Sequence, residues 1–160
     1  MKKSTSLGTF ICSLALFSVS AGAEESESFI FLPGDQLGAY WTIEKKVAPH
    51  YPKRALQKGE QGCATVSYVI EPDGTTSNHN VVVFTSDFFK APSVSAAEDF
   101  LYKPSEENVD KVSVITINTF TYQISNGPSA DEEVRQKIKG FCESKALEAL
   151  GAPAREAEVE

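Results

Sequence analysis

A tight turn between two alternating segments most constrains the fold of this chain. Pro72, Asp73 and Gly74 provide a preset φ, a side chain that can bond its own backbone, and a residue that tolerates positive φ. Apolar residues recur with a period of two over residues 63–70, and residues 75–86 can return as a second strand. One face of the first strand carries Ala64, Val66, Tyr68 and Ile70, and the other carries Cys63, Thr65, Ser67 and Val69. The pattern therefore predicts an antiparallel hairpin.

Helical segments are predicted before and after this hairpin. Pro52 suits the first position of a short helix over residues 53–58, and Gly59 supplies its end. Ser93 is a candidate N-cap for a second helix, which Pro104 would stop, and residues 86–92 are read as a loop before it. The apolar stripe of the second helix consists of Ala96, Ala97, Phe100 and Leu101.

The C-terminal half is predicted to hold a third strand and a third helix. The strand spans residues 112–124, and Asn118 is expected to mark a bulge where the alternation weakens. Ser129 and Glu132 form a capping-box pattern, and Gly151 ends the helix. The apolar stripe of this helix consists of Val134, Ile138, Phe141, Cys142, Ala146 and Leu150.

The N-terminus carries the features of an export signal. Lys2 and Lys3 precede an apolar run over residues 7–19, and a small-residue cleavage site ends at Ala23. The sequence predicts cleavage after Ala23, and the alternative is that the run stays uncleaved as an inner-membrane anchor. Residues 29–32 form either a strand or a segment packed on the core, and Trp41, the only tryptophan, is expected in the core.

The charge of the chain argues against polyanionic partners. The 160 residues carry a formal net charge of −7, which becomes −9 when cleavage removes Lys2 and Lys3. Nucleic acids and anionic lipid surfaces require a cationic face, so neither is an expected partner.

The cysteines indicate a disulfide in an oxidising compartment. Cys12 lies in the predicted signal, so Cys63 and Cys142 remain in the mature chain. Because an exported chain with two cysteines can bridge them, we predict a Cys63–Cys142 disulfide, with two separate buried thiols as the alternative. No metal site is expected, because the sequence has no CxxC and because His50 and His79 lack ligand spacing to either cysteine.

Motifs for catalysis are missing from the sequence. It contains no GxSxG, no HExxH and no phosphate-binding loop. A thiol–base pair of Cys63 with His79 or His50 would make the chain a small periplasmic enzyme. We expect instead a non-catalytic protein without a cofactor or small-molecule substrate.

The order of these elements resembles the C-terminal domain of TonB-family proteins over roughly residues 41–124. The residues that carry the resemblance are Tyr51, Pro52, Ala55, Gly59, Gly62, Asp73, Gly74, Ala96, Ala97, Phe100, Lys103, Pro104, Val112, Ser113, Val114, Phe120, Thr121 and Tyr122. The resemblance implies an α+β fold, in which a small antiparallel sheet of a hairpin plus a third strand packs with two helices. The C-terminal helix would be an addition to that fold. The expected division is a signal peptide (1–23), a lead (24–40), the TonB-like domain (41–124), the helix (125–151) and an acidic tail (152–160).

The resemblance also implies a function. TonB C-terminal domains of Gram-negative bacteria are non-catalytic and add an extended peptide of an outer-membrane transporter to a sheet edge. The residues of the corresponding edge are Val112, Val114, Thr116, Asn118, Phe120 and Tyr122. Energy transducers of this family have a membrane anchor and a long Pro-rich spacer, whereas residues 24–46 form only a short lead. The leading interpretation is therefore an exported periplasmic protein-binding module of unknown oligomeric state. The alternative is an energy transducer that supports transmembrane transport from an inner-membrane anchor.

Overall fold

The structure is a computed structural model that describes residues 30–125 and 128–151. The predicted signal peptide and acidic tail lie outside the described residues. The elements, in chain order, are β1 (Ile30–Phe31), β2 (Trp41–Lys45), α1 (Lys53–Gln57), β3 (Gly62–Ile70), β4 (Thr76–Phe84), α2 (Lys90–Glu98), β5 (Leu101–Pro104), β6 (Val114–Tyr122) and α3 (Pro128–Ala149). The predicted α+β class is confirmed.

The main sheet has four strands in the order β1-β6-β3-β4. β3 lies between its hairpin partner β4 and the later strand β6, and both pairs are antiparallel, as the sequence predicts. β1 extends the sheet by pairing in parallel with the start of β6. The sheet is therefore mixed. Residues 29–32 were expected to form either a strand or a segment packed on the core, and residues 30–31 form a strand.

A second, two-stranded sheet corrects the predicted end of the second helix. Leu101 was expected on a helical stripe, but residues 101–104 form β5, which pairs with β2. The Tyr102 N–H donates to the Gly74 carbonyl at 2.8 Å, and the hydroxyls of Tyr102 and Tyr68 lie 2.6 Å apart. These long-range bonds override the local helical pattern.

The second helix also begins earlier than the predicted cap at Ser93. Residues 87–89 form a 3₁₀ turn capped by Ser86, and α2 follows directly from Lys90. Pro92 is tolerated because the first turn of a helix has no use for its missing N–H. Ser93 is buried inside the helix, and its hydroxyl lies 2.8 Å from that of Tyr122.

The larger core lies between the main sheet and the two shorter helices. The ring of Phe89 stacks on that of Tyr122 with centroids 4.2 Å apart, and Tyr51 contacts both rings edge-on. Trp41 is buried, as expected, and its Nε1 donates to the Val112 carbonyl at 2.9 Å. Buried members of this core include Ala55, Ala64, Val66, Tyr68, Ile70, Ala97, Phe100, Val114 and Phe120.

The opposite face of the main sheet is covered by α3. The buried contacts are made by Ala146 and Leu147 against Ile117, and a disulfide joins Cys142 to Cys63 with 6.3 Å between their Cα atoms. The predicted stripe was too wide and missed Leu147. Its members Val134, Phe141 and Leu150 are exposed, because the helix presents only the narrow strip beside the disulfide to the sheet.

The expected bulge at Asn118 is wrong. β6 pairs with β3 without interruption from Val114 opposite Ile70 to Tyr122 opposite Gly62. The irregularities lie on the other side of β3, in its pairing with β4. Asn118 faces Val66 in an unbroken ladder, so a polar residue in a strand was mistaken for a break in the pairing.

Candidate peptide-binding edge of the main sheet

The outer edge of β6 presents backbone groups that face away from β3. The Leu32 N–H donates to the Ile115 carbonyl at 2.9 Å, which shows that the backbone of Ile115 points outward. Because the direction alternates along a strand, the N–H and C=O groups of Ile117, Thr119 and Thr121 point the same way. Among the described residues, no strand pairs with this side of β6 beyond Ile115.

The start of this edge is already occupied by the chain itself. β1 pairs with Val114 and Ile115, and the hydroxyl of Thr116 donates to the Leu32 carbonyl at 2.7 Å. Val112 lies before the strand, and its N–H donates to Asn108 Oδ1 at 2.8 Å. The open part of the predicted edge therefore begins near residue 117.

The side chains predicted for the edge mostly point into the protein. Val114, Thr116, Phe120 and Tyr122 are buried, and Asn118 is half-buried. These even-numbered residues direct their backbone groups to β3. The outward-facing backbone belongs to Ile117, Thr119 and Thr121, which the sequence reasoning did not select.

A groove of about 600 Å³ lies along the open edge. Residues 117–119 of β6 form one side, and the loop of residues 33–35 closes the end where β1 leaves the sheet. The other wall is α3, which contributes Lys139, Gly140, Glu143, Ser144 and Leu147. Lys46 borders the groove as well. An extended segment would lie in this space beside the edge.

The charges around the groove are nearly balanced. Lys139 Nζ lies 3.5 Å from Glu143 Oε1, so the helix wall carries a neutral pair. Lys46 is exposed and forms no ion pair with any residue in the described ranges. The groove therefore lacks the concentrated charge that a polyanion or polycation would require.

Two of the residues considered for catalysis, Cys63 and His79, make structural contacts. The Cys63 sulfur is bonded to Cys142, so it offers no free thiol to His79 or His50. The His79 ring stacks on Tyr68 with centroids 5.9 Å apart, and burial lowers the pKa of this histidine. Within residues 30–125 and 128–151, no three His, Cys, Asp or Glu side chains are grouped as metal ligands.

A membrane-spanning helix is not found in the described part of the chain, where every helix is too short or too polar.

Comparison with known proteins identifies the domain. Residues 47–124 match the family model of the Gram-negative bacterial TonB protein C-terminal, which confirms the resemblance seen in the sequence. This region is therefore similar to a TonB C-terminal domain. The match spans just under half of the chain and ends before α3.

One similar solved structure is the solution NMR structure of the Pseudomonas aeruginosa TonB CTD. It shares 20% sequence identity with this chain, and the alignment covers 55% of this chain and 90% of that one, with a TM-score of 0.48. Curated proteins give no match.

Proposed function

We propose that this chain is an exported, periplasmic protein-binding module that takes an extended segment of a partner onto the open edge of β6. The observation that carries the proposal is the outward-facing backbone of Ile117, Thr119 and Thr121, the first two of which border a groove of about 600 Å³. Unpaired N–H and C=O groups on an edge strand are a template for strand addition. β1 already uses the same edge at Val114 and Ile115.

The proposed partner is an outer-membrane transporter with an extended periplasmic segment. The TonB C-terminal match of residues 47–124 supports this choice of partner class. The balanced charge of the groove supports recognition through the backbone, with side chains adding specificity.

The experiment uses the mature protein, labelled with ¹⁵N, and synthetic peptides from the periplasmic N-terminal segments of outer-membrane transporters. A bound peptide should slow hydrogen exchange at the amides of Ile117, Thr119 and Thr121. When single peptide amides are N-methylated in turn, binding should weaken only for every second position. The reason is that alternate amides of an added strand face the edge of β6. Equal losses at all positions, or no binding by any peptide, would contradict strand addition.

Variants of Thr119 supply the protein-side control. Thr119→Pro removes an outward N–H at an edge position, where proline is tolerated, and should abolish binding. Thr119→Val keeps the N–H and loses only the hydroxyl that lies 2.8 Å from Thr65 Oγ1, so it should bind normally. Thermal melts confirm that both variants are folded.

An energy transducer is the second candidate, because the apolar run of residues 7–19 after Lys2 and Lys3 would also suit an uncleaved anchor. Fractionation with N-terminal sequencing separates the two functions. A periplasmic chain that starts at Glu24 supports the exported module, and a full-length chain in the inner membrane supports the transducer.

A further inference from the structure

The inner wall of the groove is built by α3, which lies outside the region matched to the TonB C-terminal family. We propose that α3 makes the groove selective for an extended segment with one uncharged side chain, and that Gly140 sets the size of that side chain. This inference rests on the proposed function, because it concerns the same edge of β6.

The helix is held beside the strand at two points. Cys142 is bonded to Cys63, which pairs with Thr121 near the end of β6, and Leu147 packs on Ile117 nearer its start. α3 therefore runs antiparallel to β6. Gly140, Ser144 and Leu147 recur at helical spacing and border the groove along this line.

The missing side chain of Gly140 leaves a space beside α3 that no neighbouring group fills. A Cβ at this position would meet no atom within 4 Å, so no neighbouring group demands a glycine. A glycine inside a helix lowers stability by roughly 0.5–1 kcal/mol relative to alanine. The space above Gly140 therefore belongs to the groove.

The wall around this space favours an uncharged side chain. Lys139 and Glu143 neutralise each other at 3.5 Å, and the Ser144 hydroxyl donates to the Phe141 carbonyl of its own helix at 3.0 Å. Ile117 and Leu147 also line the groove and form a small apolar cluster, but both are buried, and the neighbouring Asn118 and Thr119 are polar and uncharged.

Strand addition delivers a side chain to this space. A partner strand would lie about 4.8 Å from β6, and its alternate side chains would project toward α3 beside Ile117 and Thr119. Because α3 runs antiparallel to β6, Gly140 lies further toward the end of β6 than Leu147, which packs on Ile117. The partner side chain beside Thr119 would then lie nearest Gly140. The groove thus selects one residue of the partner by the size of its side chain, while the edge of β6 binds the partner's backbone.

The test compares Gly140→Leu with the wild-type protein. The probe is the transporter peptide that binds the wild type most tightly, together with versions in which each uncharged residue in turn is replaced by glycine. Filling the space should weaken binding of the parent peptide by about tenfold or more. One peptide should lack the side chain that occupies the space at Gly140. Its affinities for Gly140→Leu and for the wild type should agree within about twofold. Lys145→Leu adds the same side chain at an exposed position away from the groove and should leave every affinity unchanged.

The outcomes separate the two proposals. Equal affinities of Gly140→Leu and the wild type for all peptides would overturn the size selection and leave strand addition intact. An equal loss for the parent and every glycine peptide would also overturn it. If no peptide binds the wild type, both the proposed function and this inference fail.

Discussion

Leu32 donates its backbone N–H to the Ile115 carbonyl at 2.9 Å, and its own carbonyl accepts the Thr116 hydroxyl at 2.7 Å. The chain thereby adds a short parallel strand to the edge of its own sheet. β1 ends at this pair of bonds because Pro33 follows Leu32. The open edge of β6 begins immediately beyond this pair of bonds. The N-terminal segment therefore sets where a partner strand can start.

The first prediction tests this junction with Thr116→Val. Thr116 is fully buried, so the variant leaves the Leu32 carbonyl without its donor and should lower the free energy of unfolding by about 1–3 kcal/mol. Hydrogen exchange at the Leu32 amide should become faster, because β1 is held less firmly. Thr65→Val is the matched control, since it removes a hydroxyl from the same sheet without touching β1. Unchanged exchange at Leu32 in Thr116→Val would contradict the prediction.

Local chemistry explains the parts of the fold that were predictable. The hairpin follows from the turn at Asp73 and Gly74, where the Asp73 carboxylate accepts the Thr75 N–H at 2.9 Å. β5 was missed because it pairs with β2 and because Tyr102 bonds to Tyr68 and Gly74, all of which lie far away in sequence. The helical spacing of apolar residues near Leu101 could not show that backbone groups distant in sequence would pair with this segment.

The candidate site was predictable only in part. The sequence places an edge strand over residues 112–124, but it does not show which alternate residues turn their backbone outward. That choice depends on the pairing of β6 with β3, and Ile117, Thr119 and Thr121 follow only once the register is known. The groove needed α3, whose docking rests on Cys142, Ala146 and Leu147, and the predicted stripe held the first two but missed Leu147.

The second prediction concerns the Cys63–Cys142 disulfide. The bridged residues are 79 positions apart, and closing a loop of this length stabilises the folded state by about 4–5 kcal/mol in the chain-entropy model. Replacing both cysteines by alanine should lower the free energy of unfolding by up to that amount. It should also expose α3 to limited proteolysis, because few side chains of this helix are buried.

Reduction provides the control for this prediction. Dithiothreitol should destabilise the wild-type protein and leave the double alanine variant unchanged. Mass spectrometry without prior reduction should find no alkylatable thiol in the mature protein. Two alkylated cysteines under these conditions would show that α3 is held by packing alone.

The third prediction compares two glycines with positive φ. Gly74 has φ 84° and Gly59 has φ 66°, but only at Gly74 would a Cβ overlap the Tyr102 carbonyl. Gly59→Ala should cost about 1–2 kcal/mol from backbone strain. Gly74→Ala should cost about 1–2 kcal/mol more, because the Tyr102 N–H bond to the Gly74 carbonyl is disturbed as well. Chemical denaturation measures both values, and equal losses would show that the turn does not pack on β5.

The last prediction concerns alkaline pH. Burial raises the pKa of Tyr122 from 10.0 to about 12, and burial also raises the pKa values of Tyr68 and Tyr102. Between pH 10 and 12 the unfolded chain loses these protons first, so the folded state binds more protons and the free energy of unfolding falls as pH rises. Each such tyrosine contributes a slope of up to about 1.4 kcal/mol per pH unit.

Tyr122→Phe separates this tyrosine from the other groups that titrate in the same range. At pH 8 the variant should be less stable by about 1–2 kcal/mol, because it loses the hydroxyl bonded to Ser93 and to the Phe89 carbonyl. From pH 10 to 12 the difference should shrink, because phenylalanine has no proton to lose and the wild-type protein alone carries this part of the slope. Urea unfolding at pH 8, 10, 11 and 12 measures both proteins. A stability difference that stays constant over this range would mean that Tyr122 titrates alike in the folded and unfolded states.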